Sequence, residues 1–94
     1  MTEAQYATAL HDLIAMAPED YSTAQRVRQM LLSLLIDGGS HVELGALLRG
    51  ADRNNTRAIL TVLGGWQSFG WRHIEGVPDA DDFIRDMSAI GKAA

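Results

Sequence analysis

The sequence predicts an all-α fold, a compact bundle of about five short helices that forms a single domain over residues 1–94. Three observations support this fold class. Apolar residues recur at the three- and four-residue spacing of a helix. Residues that favour helix starts precede most of these segments. No two strand-like segments of alternating apolar and polar residues are joined by a hairpin turn. The length is near that of one domain, and no linker or repeat divides the chain.

The first helix is expected over about residues 3–17. Thr2 and Gln5 have the spacing of a capping box, in which each side chain satisfies a backbone N–H at the helix start. Pro18 ends the helix, because proline disfavours helical angles at the residue before it. The predicted inward face consists of Tyr6, Leu10, Leu13, Ile14 and Ala17.

The second helix is expected over about residues 23–36, with another capping box at Ser22 and Gln25. Apolar side chains extend almost around its circumference, which predicts that it is the central helix of the core. They are Val27, Met30, Leu31, Leu32, Leu34, Leu35 and Ile36. Asp37, Gly38 and Gly39 are predicted to end it, since glycine favours a helix C-cap.

The third helix is expected over about residues 41–48, capped by Ser40 with Glu43, and the fourth begins after Asp52. Residues 49–51 form the predicted turn between them. The predicted inward residues are Leu44, Leu47 and Leu48 in the third helix and Thr56, Ile59, Leu60, Leu63 and Trp66 in the fourth. Gly64 and Gly65 leave two alternatives: the fourth helix ends there, or it continues because small residues let another helix approach.

Residues 66–78 have irregular periodicity, and both a short extended segment and an ordered loop are compatible with it. The fifth helix is expected over about residues 80–90, capped by Asp79 and ended by Gly91. Its predicted inward residues are Phe83, Ile84, Met87 and Ile90.

The composition excludes several classes of function. The chain contains no cysteine, which excludes disulfides, thiolate catalysis and cysteine-ligated zinc. The first residues lack the basic and apolar regions of a signal peptide, and no apolar run approaches the about 20 residues of a membrane span. We therefore expect a cytoplasmic protein without membrane contact.

No pattern in the sequence indicates catalysis, a cofactor or a metal ion. His11, His41 and His73 do not have zinc-protease spacing, and the motifs of nucleophile elbows and phosphate-binding loops are absent. The aspartates at positions 79, 81, 82 and 86 lack the ligand pattern of an EF-hand and are explained by the helix dipole. The sequence thus predicts a protein that is not an enzyme.

Positive charge is concentrated in the middle of the chain. Residues 1–25 contain four acids and no Lys or Arg, residues 26–72 contain six arginines and three acids, and residues 73–94 contain five acids and two cations. Arginine forms bidentate hydrogen bonds to carboxylates and phosphates. Two interpretations remain open: a solvated surface with internal salt bridges, or an arginine face that contacts an acidic protein or nucleic acid.

Tryptophan is enriched at interface hot spots, although core packing is its commoner use in a domain this small. Trp66 and Trp71 are therefore either core residues or part of a partner surface. The candidate partner-binding residues are Arg26, Arg28, Arg49, Arg53, Arg57, Trp66 and Trp71.

The third and fourth helices also have the length of a helix-turn-helix. Arg53, Asn54, Asn55 and Arg57 begin the second of these helices, and such side chains read base edges. The register of apolar residues fits poorly: with Gly50 as the turn glycine, Gly45 and Arg49 stand where apolar residues are needed. The pI of about 5.1 also opposes a strong electrostatic footprint.

Several short motifs occur in an order that resembles a known family. They are Arg26-Val27-x-x-Met30-Leu31-Leu32, Gly38-Gly39, Val42-Glu43-Leu44, Thr61-Val62-Leu63-Gly64 and Pro78-Asp79. The family consists of similarly short proteins encoded on bacterial plasmids, prophages and integrative elements, and the likeness covers about residues 7–90. Its pattern has a Trp-Trp pair where this chain has Ser33-Leu34. The family has no established activity, so the resemblance implies a mobile-element accessory protein and carries over no catalytic residue.

These observations predict a non-enzymatic binding protein of a phage or mobile element, which docks on a host or element-encoded protein. An inhibitor of a defence system, such as an anti-CRISPR protein, is one example. The alternative is a small helix-turn-helix-like DNA-binding regulator. Homodimerisation is a separate hypothesis, because a chain of this length buries only about 60–65% of its unfolded surface.

Overall fold

A computed structural model describes residues 1–36, 41–71 and 74–93. Within them the chain forms five α-helices and no strand, as the sequence predicts. The helices are α1 (Glu3–Met16), α2 (Ser22–Leu35), α3 (Leu44–Gly50), α4 (Arg53–Phe69) and α5 (Ala80–Ala93). None of the helices in this part of the chain combines the length and apolar character needed to cross a membrane. The radius of gyration of 12.4 Å is close to the about 13 Å expected of a compact domain of this size.

The most extensive helix pair is α1 with α4. Helix α1 begins at the predicted capping box: the Gln5 N–H donates to Thr2 Oγ1, and the Thr2 N–H donates to Gln5 Oε1. All five residues of its predicted inward face are buried: Tyr6, Leu10, Leu13, Ile14 and Ala17. They pack with Ile59 and Val62 of α4 in one hydrophobic cluster.

Gly65 decides how closely α1 and α4 approach. Helix α4 continues through both glycines to Phe69, which confirms the second of the two alternatives. A Cβ at Gly65 would lie 2.5 Å from Tyr6 Cδ2, so only glycine fits beneath the tyrosine ring. The Tyr6 hydroxyl donates a 2.6 Å hydrogen bond to the carbonyl of Gly70, which ends α4 at φ +61°. That backbone angle favours glycine.

Helix α2 differs from its prediction at both ends. It begins one residue earlier, with Tyr21 rather than Ser22 as N-cap and no side-chain cap, so the second capping box is wrong. The side-chain amide of Gln25 instead donates a hydrogen bond to the carboxylate of Asp20. Val27, Met30 and Leu31 are buried, whereas the last turn is only half-buried. Helix α2 therefore contributes to the core before its last turn, and the glycine C-cap predicted at residues 37–39 lies outside the described residues.

Helix α3 is shorter and later than predicted and includes Gly50. Its predicted cap Ser40 lies outside the described residues, and Glu43 occupies the N-cap position without a side-chain hydrogen bond. Leu47 is fully buried, but Leu44 is 44% exposed, so its inward assignment is wrong. The short helix packs on α2, where the Thr23 hydroxyl donates to the Gly50 carbonyl at 3.1 Å.

Helix α5 starts after Asp79, whose carboxylate accepts the Asp81 N–H as the predicted cap requires. Phe83 and Met87 are buried, Ile84 and Ile90 are half-buried, and the helix continues past the predicted end at Gly91. The loop before α5 is anchored by Trp71, whose indole N–H donates to the Pro78 carbonyl at 2.9 Å. Its ring lies 5.0 Å from that of Phe83.

Candidate protein-binding surface

The five candidate arginines take part in no ion pair within the described residues. Arg85 of α5 shows the contrast, because it lies 3.1 Å from an oxygen of Asp82 and 3.7 Å from one of Asp86. In this part of the chain, internal salt bridges therefore do not account for the arginine-rich middle.

Three of these arginines lie exposed around the junction of α3 and α4, and we call them the junction arginines: Arg49, Arg53 and Arg57. The acid nearest to them in sequence, Asp52, is occupied as the N-cap of α4 and accepts the Asn55 N–H at 2.8 Å. The Arg49 Nε–H donates to the Gly45 carbonyl along its own helix at 3.2 Å. The junction arginines thus remain available on the surface.

Arg26 and Arg28 lie elsewhere. Arg26 is half-buried at the contact between α2 and α3, where its Nη1 lies 3.8 Å from the point that a Cβ on Gly50 would occupy. It lines a polar depression of about 360 Å³ with Ser22, Gln25, Gln29, His41 and Glu43. Arg28 is also half-buried and does not line this depression, because residues two apart point to different sides of a helix. The structure thus separates these two arginines from each other.

The tryptophans have different environments. Trp71 is 7% exposed and belongs to the hydrophobic core, while Trp66 is half-buried and packs against that core. For Trp71 the structure selects the core alternative of the two that the sequence leaves open. Among the candidate residues, the junction arginines are therefore the exposed ones, whereas Trp71 is buried and Trp66 is half-buried.

Sequence reasoning missed the apolar part of this surface. Leu60, predicted to face inward, is 54% exposed, and Met1 is 62% exposed. Both line a depression of about 420 Å³ with Arg53, Thr56, Arg57 and Thr61. The spacing of Arg53, Arg57 and Leu60 at i, i+4 and i+7 was the signal that places all three on one side of α4.

A sequence model of a family of unknown function, DUF7673, matches residues 7–93. The chain belongs to this family. Membership confirms the resemblance to a family without established activity. The genomic context expected from that resemblance stays a prediction. No curated protein and no solved structure matches the chain.

For this member of DUF7673, no group of three or more His, Asp or Glu side chains in the described ranges is close enough to hold a metal ion. The aspartates near the start of α5 are engaged locally: Asp79 caps the helix, and Asp82 and Asp86 contact Arg85. The surface around the junction arginines presents positive charge together with the exposed apolar side chains of Leu60 and Met1.

Proposed function

We propose that this chain is a non-enzymatic binding protein that docks on an acidic surface of another protein through Arg49 and Arg53. The observation that carries the proposal is the absence of ion pairs at the junction arginines within the described residues. Arginine is enriched at interface hot spots and forms bidentate bonds with carboxylates.

The surroundings of the junction arginines favour a protein over a duplex. Exposed Leu60 and Met1 lie beside Arg53 and Arg57, and apolar area next to arginine is typical of protein interfaces. Helix α3 packs on α2, whereas a helix-turn-helix unit needs its two helices to pack on each other. The net charge of −4 also repels a polyanion.

Site-specific photo-crosslinking in the native host cell tests the proposal. A photoreactive amino acid at position 49 or 53 should trap one shared partner, and the same group at exposed Gln67 should not trap it. With the purified partner, Arg49→Ala combined with Arg53→Ala should weaken binding at least about tenfold. Arg85→Ala is the matched control, because that arginine is also exposed but is paired within α5. The absence of a shared partner, or unchanged binding by the double variant, would contradict the proposal.

The resemblance described above extends the proposal to the type of target. A protein of a phage or mobile element would dock on a host or element-encoded protein, and a defence component such as a CRISPR effector is one such target. The crosslinked partner identifies the target directly. A crosslinked partner that has no role in host defence would remove the defence example while leaving the docking proposal intact.

A DNA-binding regulator is the second candidate, because Arg53, Asn54 and Arg57 are all exposed in the first turns of α4. If this candidate is correct, a labelled duplex should bind with a steep salt dependence, and Arg53→Ala with Arg57→Ala should abolish the binding. Fluorescence anisotropy at low salt measures both. Absence of duplex binding by the unmodified chain would exclude it.

A further inference from the structure

A groove of about 580 Å³ runs along the outer side of the α1–α4 pair. Its floor is made largely of small side chains, and its lining residues are Met1, Ala4, Gln5, Thr8, Ala9, Asp12, Asn54, Arg57, Ala58 and Thr61. Small residues between two packed helices let other helices approach closely, as in four-helix bundles. The groove is therefore shaped for a helical occupant.

The two helices that border the groove are antiparallel. Met1 and Tyr6, at the start of α1, approach Gly65 in the second half of α4. Asp12, about three turns further along α1, lines the same groove as Asn54 near the start of α4. Asp12 and Arg57 thus lie on opposite walls in the same half of the groove.

The two walls carry opposite charges. Of the ten lining residues, Asp12 on α1 is the acid and Arg57 on α4 is the base, and α1 contains no Lys or Arg while α4 contains no acid. Asp12 has a histidine neighbour, His11 Nδ1 at 3.7 Å, but no arginine contact within the described residues. An acidic helix beside a basic helix forms a self-complementary face, which is what a two-fold interface requires.

We propose that the occupant of this groove is a second copy of the chain. A two-fold axis along the groove places α1 of each copy over α4 of the other, so that Asp12 of one copy meets Arg57 of the second. A two-fold axis across the groove would instead place α1 on α1, acid against acid, and like-charge juxtaposition disfavours that arrangement. The first arrangement also covers Met1, a groove residue whose large apolar side chain is exposed in the single chain.

This inference does not rest on the proposed docking function, because Arg49 and Arg53 do not line the groove. Sedimentation equilibrium across micromolar concentrations tests it. The unmodified chain should show a monomer–dimer equilibrium. Arg57→Asp and Asp12→Arg should each raise the dimer dissociation constant at least about tenfold, because each places like charges opposite one another. Arg85→Asp, the same charge reversal at an exposed arginine outside the groove, should leave the constant unchanged.

The decisive measurement is reciprocal rescue. An equimolar mixture of Asp12→Arg and Arg57→Asp chains should form a heterodimer, since both facing pairs then have opposite charges. The double variant should dimerise like the unmodified chain. Circular dichroism checks that every variant keeps its helical content. A monomeric unmodified chain, a dimer indifferent to both substitutions, failure of rescue, or capture of a different protein by a crosslinker at Arg57 would each overturn the proposal.

Discussion

At the scale of single residues, the contact between Tyr6 and Gly65 carries the most structural information. The tyrosine ring is fully buried against the glycine, and its hydroxyl reaches past α4 to the Gly70 carbonyl. One side chain therefore sets both the spacing of the helix pair and the end of α4. The adjacent Gly64 is exposed, and a Cβ there would meet only Met1 Cε, at 3.6 Å.

Alanine substitutions at the two neighbouring glycines should consequently change the stability of the fold in opposite directions. Gly65→Ala should destabilise the fold by about 1–3 kcal/mol, because the new methyl group overlaps a buried ring that has no room to move. Gly64→Ala should stabilise it by up to about 1 kcal/mol through higher helix propensity. Urea unfolding of both variants measures the difference. Equal effects of the two substitutions would show that the Tyr6–Gly65 contact does not limit packing.

Because Tyr6 is buried, its ionisation should destabilise the folded chain at alkaline pH. Desolvation raises the pKa of its hydroxyl above the ordinary value of 10.0, so the folded state holds the phenolic proton more tightly than the unfolded state does. The associated stability is complete below about pH 10 and is lost as the pH rises through the folded-state pKa. The advantage of the unmodified chain over Tyr6→Phe should therefore shrink above about pH 10. Tyr21→Phe, which alters an exposed ring, is the control for unfolding measured over the same pH range.

At the scale of the helices, the ends are stabilised unequally. Helices α1 and α4 have side-chain caps at Thr2 and Asp52, whereas α2 and α3 begin without one. Helix α2 begins at the contact with α3, where Thr23 is buried and bonds the Gly50 carbonyl. Tertiary contact thus holds the start of α2, where the sequence predicts a local cap.

This difference predicts unequal costs for two similar substitutions. Asp52→Ala should lower the free energy of unfolding by about 1 kcal/mol, since it removes the acceptor for the Asn55 N–H. Ser22→Ala should change it by less than about 0.5 kcal/mol, because Ser22 is the first helical residue and caps nothing. Thermal unfolding compares the two. A larger loss from Ser22→Ala would mean that a capping box forms at α2 after all.

At the scale of the whole molecule, charge is distributed unevenly over the helices. The five candidate arginines lie on or near the surface of α2, α3 and α4, while Asp82 and Asp86 of α5 contact Arg85 of the same helix. The interior contains apolar side chains together with buried Thr23. Folding therefore depends on the apolar core, to which the candidate arginines contribute no fully buried side chain.

The junction arginines should accordingly be dispensable for stability. Arg49→Ala with Arg53→Ala should shift the free energy of unfolding by no more than about 0.5 kcal/mol, as expected of exposed side chains without ion pairs in the described residues. Chemical denaturation measures this change. The same double variant should nevertheless bind the crosslinked partner more weakly than the unmodified chain does. A large loss of stability would assign these arginines to the fold rather than to an interface.

The site could be predicted only in part. The sequence indicates that positive charge is concentrated in the middle of the chain, because both ends contain few arginines. It does not indicate that Arg26 lies against α3 while Arg53 and Arg57 border an apolar depression. The contacts of Arg26 with α3 and of Met1 with α4 join segments that are distant in the sequence, and no local pattern records them.

The sequence by itself determined the number and order of the helices, the caps at Thr2, Asp52 and Asp79, and the inward face of α1. Each of these depends on residues within a few positions of one another, where helix geometry leaves little choice. Only the tertiary structure decided that α4 continues through Gly65, that Leu44 and Leu60 face outward, and that Trp71 belongs to the core. Helical periodicity defines an apolar stripe about 100° wide along a helix. Which residues of that stripe are buried depends on how the helix is rotated about its axis, and the neighbouring helices determine that rotation.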